Sequence, residues 1–218
     1  MKENTLWALW IFNATYLFWG AAYFVQDLNF EFVIYVGVIF VILATVLSTI
    51  SYTNFPAWQM WLLSLWGLMH VLGGAIHMKD GVLFAHHIVE VVNQGGDFYI
   101  LKYDQVVHAY LYGLVATMAL FIIRQLKPTV PSAGVMAILA ILTASGVGAL
   151  NEIMEFVISL NMKNGVGGYE NTMLDIISNL LGAIVATFIY AFFTRKQKVA
   201  VVPVSETKQR KKRAKNED

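Results

Sequence analysis

Several ionisable side chains stand in otherwise apolar stretches, and their spacing is helical. His70, Gly73, Gly74 and His77 recur at i, i+3, i+4 and i+7, which is one helical face, with two glycines that let a neighbouring helix come close. Asp104 and His108 are i, i+4 with Tyr103 just before them. Glu152 and Glu155 are i, i+3 beside Asn151, and Asp175 and Asn179 are again i, i+4, following Tyr169-Glu170-Asn171-Thr172. A charged group at membrane depth costs about 3 kcal/mol on insertion scales, so such residues face a partner or a wet cavity. Two carboxylates side by side repel each other, and need a cation, a protonated histidine or a shared proton. Gathered in one place, these groups would suit Zn, Mn or Mg as well as proton transfer. The metal-ligand expectation falls on His70, Asp104, His108 and Asp175, and the acid-base expectation on Glu152 and Glu155.

Blander readings compete at several positions. Asp104 precedes an apolar run and would also serve as a helix N-cap. His77, close to Lys79 and Asp80, reads as an interface residue rather than a ligand, and His86 and His87 as facing solvent or headgroups. No P-loop, dinucleotide fingerprint, GxSxG or HExxH motif occurs. With no cysteine, thiolate metal sites and cysteine nucleophiles are excluded.

The elements that must position these residues are membrane spans. A composition of 58% hydrophobic and 13% charged residues, with mean hydropathy +0.61, does not describe a water-facing surface. Crossing a bilayer takes about 20 apolar residues, and six stretches qualify: residues 5–26, 30–50, 57–78, 106–126, 133–160 and 172–193. The first is expected to stay as an anchor, since it is long for a signal peptide and runs straight into the second. Asp27-Leu28-Asn29, Asn54-Phe55-Pro56 and Pro128-Thr129-Val130-Pro131 mark short connections, so successive spans should be antiparallel. The exception is residues 79–105. Its apolar piece, residues 82–92, is too short to span and is expected to form an interfacial helix between spans three and four. The fold class is therefore all-α, a polytopic helical bundle over residues 1–194, with a basic tail at 195–218. That tail suits anionic headgroups better than nucleic acid. The tryptophans suit interfacial belts.

The order His70-x-x-Gly73-Gly74, Lys102-Tyr103-Asp104-x-x-x-His108, Asn151-Glu152-x-x-Glu155-Phe156 and Tyr169-x-Asn171-Thr172-x-x-Asp175 with Leu181-Gly182-Ala183 resembles the YjdF-type membrane proteins of bacteria and archaea, over residues 65–186. A looser similarity, in the Asp-x-x-x-His, Glu and Asp-x-x-x-Asn elements, is to the VanZ-like family linked to glycopeptide resistance. Both imply a compact multi-span inner-membrane protein, and neither carries an assigned reaction. Where YjdF-type proteins often read Trp-Asp-Thr-Gln-Trp-Asp, this chain has Glu170-Asn171-Thr172-Met173-Leu174-Asp175, one acid and one amide fewer. The site the resemblance implies thus centres on Asp104, His108, Glu152, Glu155 and Asp175, and His77 has no counterpart in it.

Three functions compete. A divalent cation held by His108 and carboxylates would polarise an ester or phosphate oxygen of a lipid or lipid-linked substrate, with a spare Glu as general base. The same groups would serve a proton-coupled transporter, or would merely join helices in an accessory membrane protein. Membrane lipids are the expected partners in each case, and nucleic acid in none.

Orientation follows from the basic residues. Six spans with both termini cytoplasmic put twelve of the fifteen Lys and Arg inside, leaving only Lys79, Lys102 and Lys163 outside. In this Cys-free chain, single cysteines at Asn164 and Ser205 should therefore react oppositely with an impermeant thiol reagent on intact cells, Asn164→Cys labelled and Ser205→Cys protected. Equal labelling would refute the topology.

Overall fold

The computed structural model describes residues 1–79, 81–93, 99–126, 132–160 and 168–194. In chain order its elements are α1 Glu3–Gln26, α2 Phe30–Ser48, the single turn α3 Ile50–Thr53, α4 Ala57–Ala75, β1 His77–Met78, β2 Gly81–Val82, a 3-10 turn Leu83–Ala85, β3 His87–Asn93, β4 Tyr99–Lys102, α5 Tyr103–Leu126, α6 Ala133–Ser159 and α7 Tyr169–Thr194. The expected basic tail, the Pro128–Pro131 connection and most of the loop before α7 lie outside the described residues.

Five helices, α1, α2, α5, α6 and α7, are long and apolar enough to cross a membrane. The sixth expected span falls on α4, which is not among these five; its 19 residues reach about 28 Å, and it packs among α1, α2 and α5, burying Gln59 and Ser64. Two bonds reach them across helices, Asn13 Nδ2 donating to Ser64 Oγ at 2.9 Å and Gln59 Nε2 donating to Thr117 Oγ1 at 3.2 Å, and within α1 Tyr16 Oη donates to Asn13 Oδ1 at 2.8 Å.

One hydrophobic core joins α1, α2 and α4 with one face of α5, through residues such as Leu9, Phe24, Ile39, Met60, Val107 and Leu114. Another face of α5 packs on α6 and α7, where Tyr112, Ala116, Ala144 and Ala183 form a smaller core. Helix α5 is thus the shared wall between two halves of the bundle. It runs parallel to α7, because Lys102 meets Asn171 at one end while Arg124 donates to Thr194 Oγ1 at the other. Helix α6 returns antiparallel between their sequences, with Met136 and Ala140 packed on Leu120 and Glu152 beside His108.

The segment before α5 corrects one expectation. Residues 82–92 form no interfacial helix; the segment carries two short antiparallel pairs, β1 with β2 and β3 with β4, the second in register His87↔Lys102 and Asn93↔Tyr99. The physical reason is composition. His87-Ile88-Val89-Glu90-Val91-Val92 is dominated by β-branched residues, which lose χ1 freedom in a helix and pack well on a pleated surface. The hairpin has a structural consequence, since β4 runs directly into α5. Gln105 brackets that junction, accepting from Lys102 N at 3.2 Å and donating to Tyr99 O at 2.8 Å, while Tyr103 N donates to His86 O at 3.0 Å.

The α5–α7 contact depends on small residues. A Cβ on Gly182 would collide with the backbone carbonyl of Ala109, and one on Gly113 would sit 3.0 Å from Gly182 O. Gly182→Ala must therefore push two long helices apart. It should lower stability by about 1–3 kcal/mol or more, read as an earlier unfolding midpoint in detergent. Gly146→Ala, with open space around it, should be neutral or gain up to ~1 kcal/mol from helix propensity. Equal midpoints for the two variants would contradict this packing.

Candidate functional site

Helical periodicity delivers three helix faces to one place. On α5 Asp104, His108 and Tyr112 are spaced by four; on α7 so are Asn171, Asp175 and Asn179; α6 contributes Asn151, Glu152 and Glu155 from its C-terminal part. All lie toward the end of the bundle where α5 and α7 begin. Asp175 and Asn179 are each 1% exposed, Glu152 5% and His108 7%. Polar groups in so dry a position are costly unless paired.

His108 is the hub. Its Nε2 is 3.5 Å from Asp104 Oδ1, while its Nδ1 is 3.3 Å from Glu152 Oε1 and 3.1 Å from Asn179 Oδ1. Two sets of ligating atoms lie within 4.8 Å of one another: Asp104, His108 and Asp175, and His108, Glu152 and Glu155. The surrounding amides orient the acids. Asn171 Nδ2 donates to Asp175 Oδ2 at 2.7 Å, Asn151 Nδ2 donates to Glu155 Oε1 at 2.7 Å, and Lys102 Nζ donates to Asn171 Oδ1 at 2.9 Å. Asp175 Oδ1 and Asn179 Nδ2 are buried without a hydrogen-bond partner.

Acceptor oxygens face both ring nitrogens of His108: Glu152 Oε1 and Asn179 Oδ1 at Nδ1, and Asp104 Oδ1 at Nε2. A proton on Nδ1 alone would turn the Nε2 lone pair toward Asp104. A carboxylate on one nitrogen and a free lone pair on the other is the arrangement by which outer carboxylates orient metal-binding histidines. A doubly protonated ring between Asp104 and Glu152 satisfies the same distances without a metal.

Five of the six expected site residues, Asp104, His108, Glu152, Glu155 and Asp175, are thus brought together. His70 is not part of either ligand set. It sits in a cage of rings, with centroids of Phe84, Tyr35 and Trp66 at 4.8, 5.7 and 5.8 Å, and its Nε2 is buried without a partner. The cause is the 3-10 turn: its Phe84 packs over His70 and Gly73, in the space a ligand role would need. His77 is exposed, with Nδ1 3.4 Å from Tyr23 Oη, and His87 is half-buried, stacked on Tyr99 at 4.0 Å.

Asn171 and Lys102 were not singled out from spacing as site residues. Asn171 was detectable, since it precedes Asp175 by four on the same face. Lys102 was not, because its place depends on the hairpin. The Asn13–Ser64 and Gln59–Thr117 pairs were also missed, because a lone amide in a span carries no spacing signal.

A bundle of membrane-length apolar helices around a buried histidine–carboxylate cluster defines a multi-pass integral membrane protein. The chain belongs to the family described as "Predicted membrane protein (DUF2238)", whose model matches residues 5–196. Comparisons with curated proteins and with solved structures give no match.

Asn179 occupies its place because Gly148 has no side chain; a Cβ there would lie 2.8 Å from Asn179 Nδ2. Asn179→Leu keeps the volume and removes the acceptor, leaving Glu152 alone to hold the ring. Nitrogen-15 spectra of labelled histidine should show the Nδ1–H tautomer of His108 in the unaltered protein and a mixed population in Asn179→Leu. An unchanged spectrum would show that Asn179 does not orient the ring.

Proposed function

We propose that this protein is a multi-pass protein of the inner (plasma) membrane, with both termini cytoplasmic, in which Asp104, His108 and Asp175 hold a divalent cation, Zn, Mn or Mg. On this reading the protein is a hydrolase or transferase acting on a lipid or lipid-linked substrate in the outer half of the bilayer. The observation that carries the reading is the placement of His108: Nδ1 lies beside Glu152 and Asn179, Nε2 faces Asp104, and the ring shares a ligand set with Asp104 and Asp175. The unpartnered Asp175 Oδ1 supports it, because a buried carboxylate oxygen without a donor is costly unless a cation serves it.

The bound cation would supply Lewis-acid polarisation of an ester or phosphate oxygen and activation of water. The chain's own residues then have separate tasks. Asp104 and Asp175 hold charge from two parallel helices. Glu152 acts through His108, orienting the ring. Glu155, held by Asn151, is the carboxylate available as general base. The motif order supports kinship with YjdF-type proteins, within which the same residues would be shared.

A second reading, a proton-coupled transporter, is favoured by one observation. Ser145 Oγ and Thr187 Oγ1, farther along α6 and α7 from the cluster, are buried without partners, as hydroxyls along a wet path would be. Acid-loaded vesicles containing the protein would lose their proton gradient on that reading and keep it on the first.

Purified protein should contain close to one Zn, Mn or Mg per chain by elemental analysis. Asp104→Asn and Asp175→Asn should each empty the site. Glu152→Gln, acting through the ring, should weaken binding about 10-fold to 100-fold. Glu155→Gln should keep both metal and thermal stability while losing the cellular phenotype of the unaltered gene. A metal-free protein that stays metal-free on titration with all three ions would overturn the reading in favour of a protonated His108 joining helices.

A further inference from the structure

Helices α4 and α7 both pack on α5 but scarcely on each other, so a wedge stays open between them with α5 as its floor. This wedge is a groove of about 510 Å³. Ala109 and Gly113 of α5, with Gly182 and Ala186 of α7, keep the floor deep, and Leu62 and Val185 belong to the walls. On α5 the groove follows its own stripe, Ala109, Gly113 and Thr117 at intervals of four, distinct from that of Asp104, His108 and Tyr112 in the cluster.

The hydroxyls that line the groove are spent within the protein. Tyr110 Oη donates to Leu62 O at 3.0 Å, while Thr117 Oγ1 donates to Leu114 O at 2.8 Å and accepts from Gln59 Nε2 at 3.2 Å. An occupant is therefore offered hydrocarbon, and gains by apolar burial rather than by hydrogen bonds. From Val106 to Thr117 the α5 side runs about 16 Å, away from the end where the cluster lies. At the far end the groove is barred. Trp58 crosses from α4 to Tyr190 of α7, ring centroids 6.0 Å apart, and the Arg124 guanidinium lies 5.2 Å over the same tyrosine ring and steadies it.

Size and shape select the occupant. About 510 Å³ spread over about 16 Å leaves a mean cross-section of about 30 Å². A helix from a second copy is about 10–12 Å across with its side chains, needs more than twice that area, and would run onto the Trp58–Tyr190 bar. We infer that the groove binds one acyl chain of a membrane lipid, which enters from the leaflet at the cluster's end and stops with its methyl group against Trp58. The site is separate from the cluster and does not require a cation there. A chain held in it fills the wedge and braces α4 against α7.

The test uses full-length protein in nanodiscs of phosphatidylcholine containing a trace of phosphatidylcholine with a diazirine at the methyl end of one chain. After illumination, cross-linked peptides are mapped by mass spectrometry. Cross-links should concentrate on Leu62, Thr117 and Ile189 over Phe188 and Leu142, which are exposed on α7 and α6 outside the groove. Val185→Trp fills the groove from an exposed position and should cut those cross-links about ten-fold or more, at an unaltered unfolding midpoint. Leu181→Trp, on the same wall, should do the same, and Leu142→Trp should leave them unchanged. Cross-links spread evenly over the groove, Phe188 and Leu142 would overturn the proposal, as would groove cross-links that survive both filling variants. A dimer of the unaltered protein that Val185→Trp dissociates would also overturn it, and would assign the groove to a second copy of the chain.

Discussion

Carboxylates enclosed in an apolar bundle must find positive charge, and that requirement organises this protein. Asp104, Glu152, Glu155 and Asp175 surround one imidazole, with Glu152 and Asp175 buried and Asp104 and Glu155 half-buried. An unpaired buried charge costs several kcal/mol, and removing a partner from such a set commonly costs about 3–5 kcal/mol. The surrounding architecture serves to bring donors and countercharge within reach. Gly182 and Gly113 let α7 lie against α5 closely enough for Asp175 and Asn179 to reach the His108 side, and Gly148 leaves room on α6 for the Asn179 amide. Amides stand beside the acids: Asn151 and Asn171 donate to carboxylates without adding charge, and Asn179 turns its Oδ1 to His108 Nδ1.

The other half of the bundle meets the same constraint on a smaller scale. Helix α4 carries Gln59, Ser64 and His70 through the interior: Gln59 Nε2 donates to Thr117 and Ser64 Oγ accepts from Asn13, while Gln59 Oε1 has no hydrogen-bond partner and His70 is enclosed by rings. Tyr110 and Tyr103 of α5 donate to the carbonyls of Leu62 and Met69, at 3.0 and 3.1 Å, and tie α5 to α4 on the side away from the cluster. Helix α5 is thus fixed from both sides. The cluster can be precise because the helix that carries its hub has little freedom to shift.

Much of this was legible in the sequence, for reasons that can be named. Periodicity of four within apolar runs identified Asp104 with His108 and Asp175 with Asn179, because spacing alone places such pairs on one helical face. Alternating direction led to the expectation that four spans, α4 to α7, would bring their polar faces to one cavity; α5, α6 and α7 do so, and His70 of α4 is in neither ligand set. Three things were not legible. His70 has ideal spacing with Gly73 and Gly74, yet those glycines accommodate Phe84 and Phe32 rather than a neighbour that would complete a metal site. The 82–92 segment reads as apolar and short in either helix or strand, and only its β-branched content distinguishes them. Lys102 gains its position from the pairing of β4 with β3, and no local pattern reports such a contact.

The central claim is that His108 presents Nε2 to a cation shared with Asp104 and Asp175. Electron spin echo modulation of the Mn-loaded protein reads that contact directly, since a nitrogen bound to Mn modulates the echo at its own frequencies. The account predicts modulation from one histidine nitrogen, altered on nitrogen-15 labelling of histidine and lost in His108→Gln. Tightly bound Mn with an all-oxygen environment, or nitrogen modulation that survives His108→Gln, would contradict it.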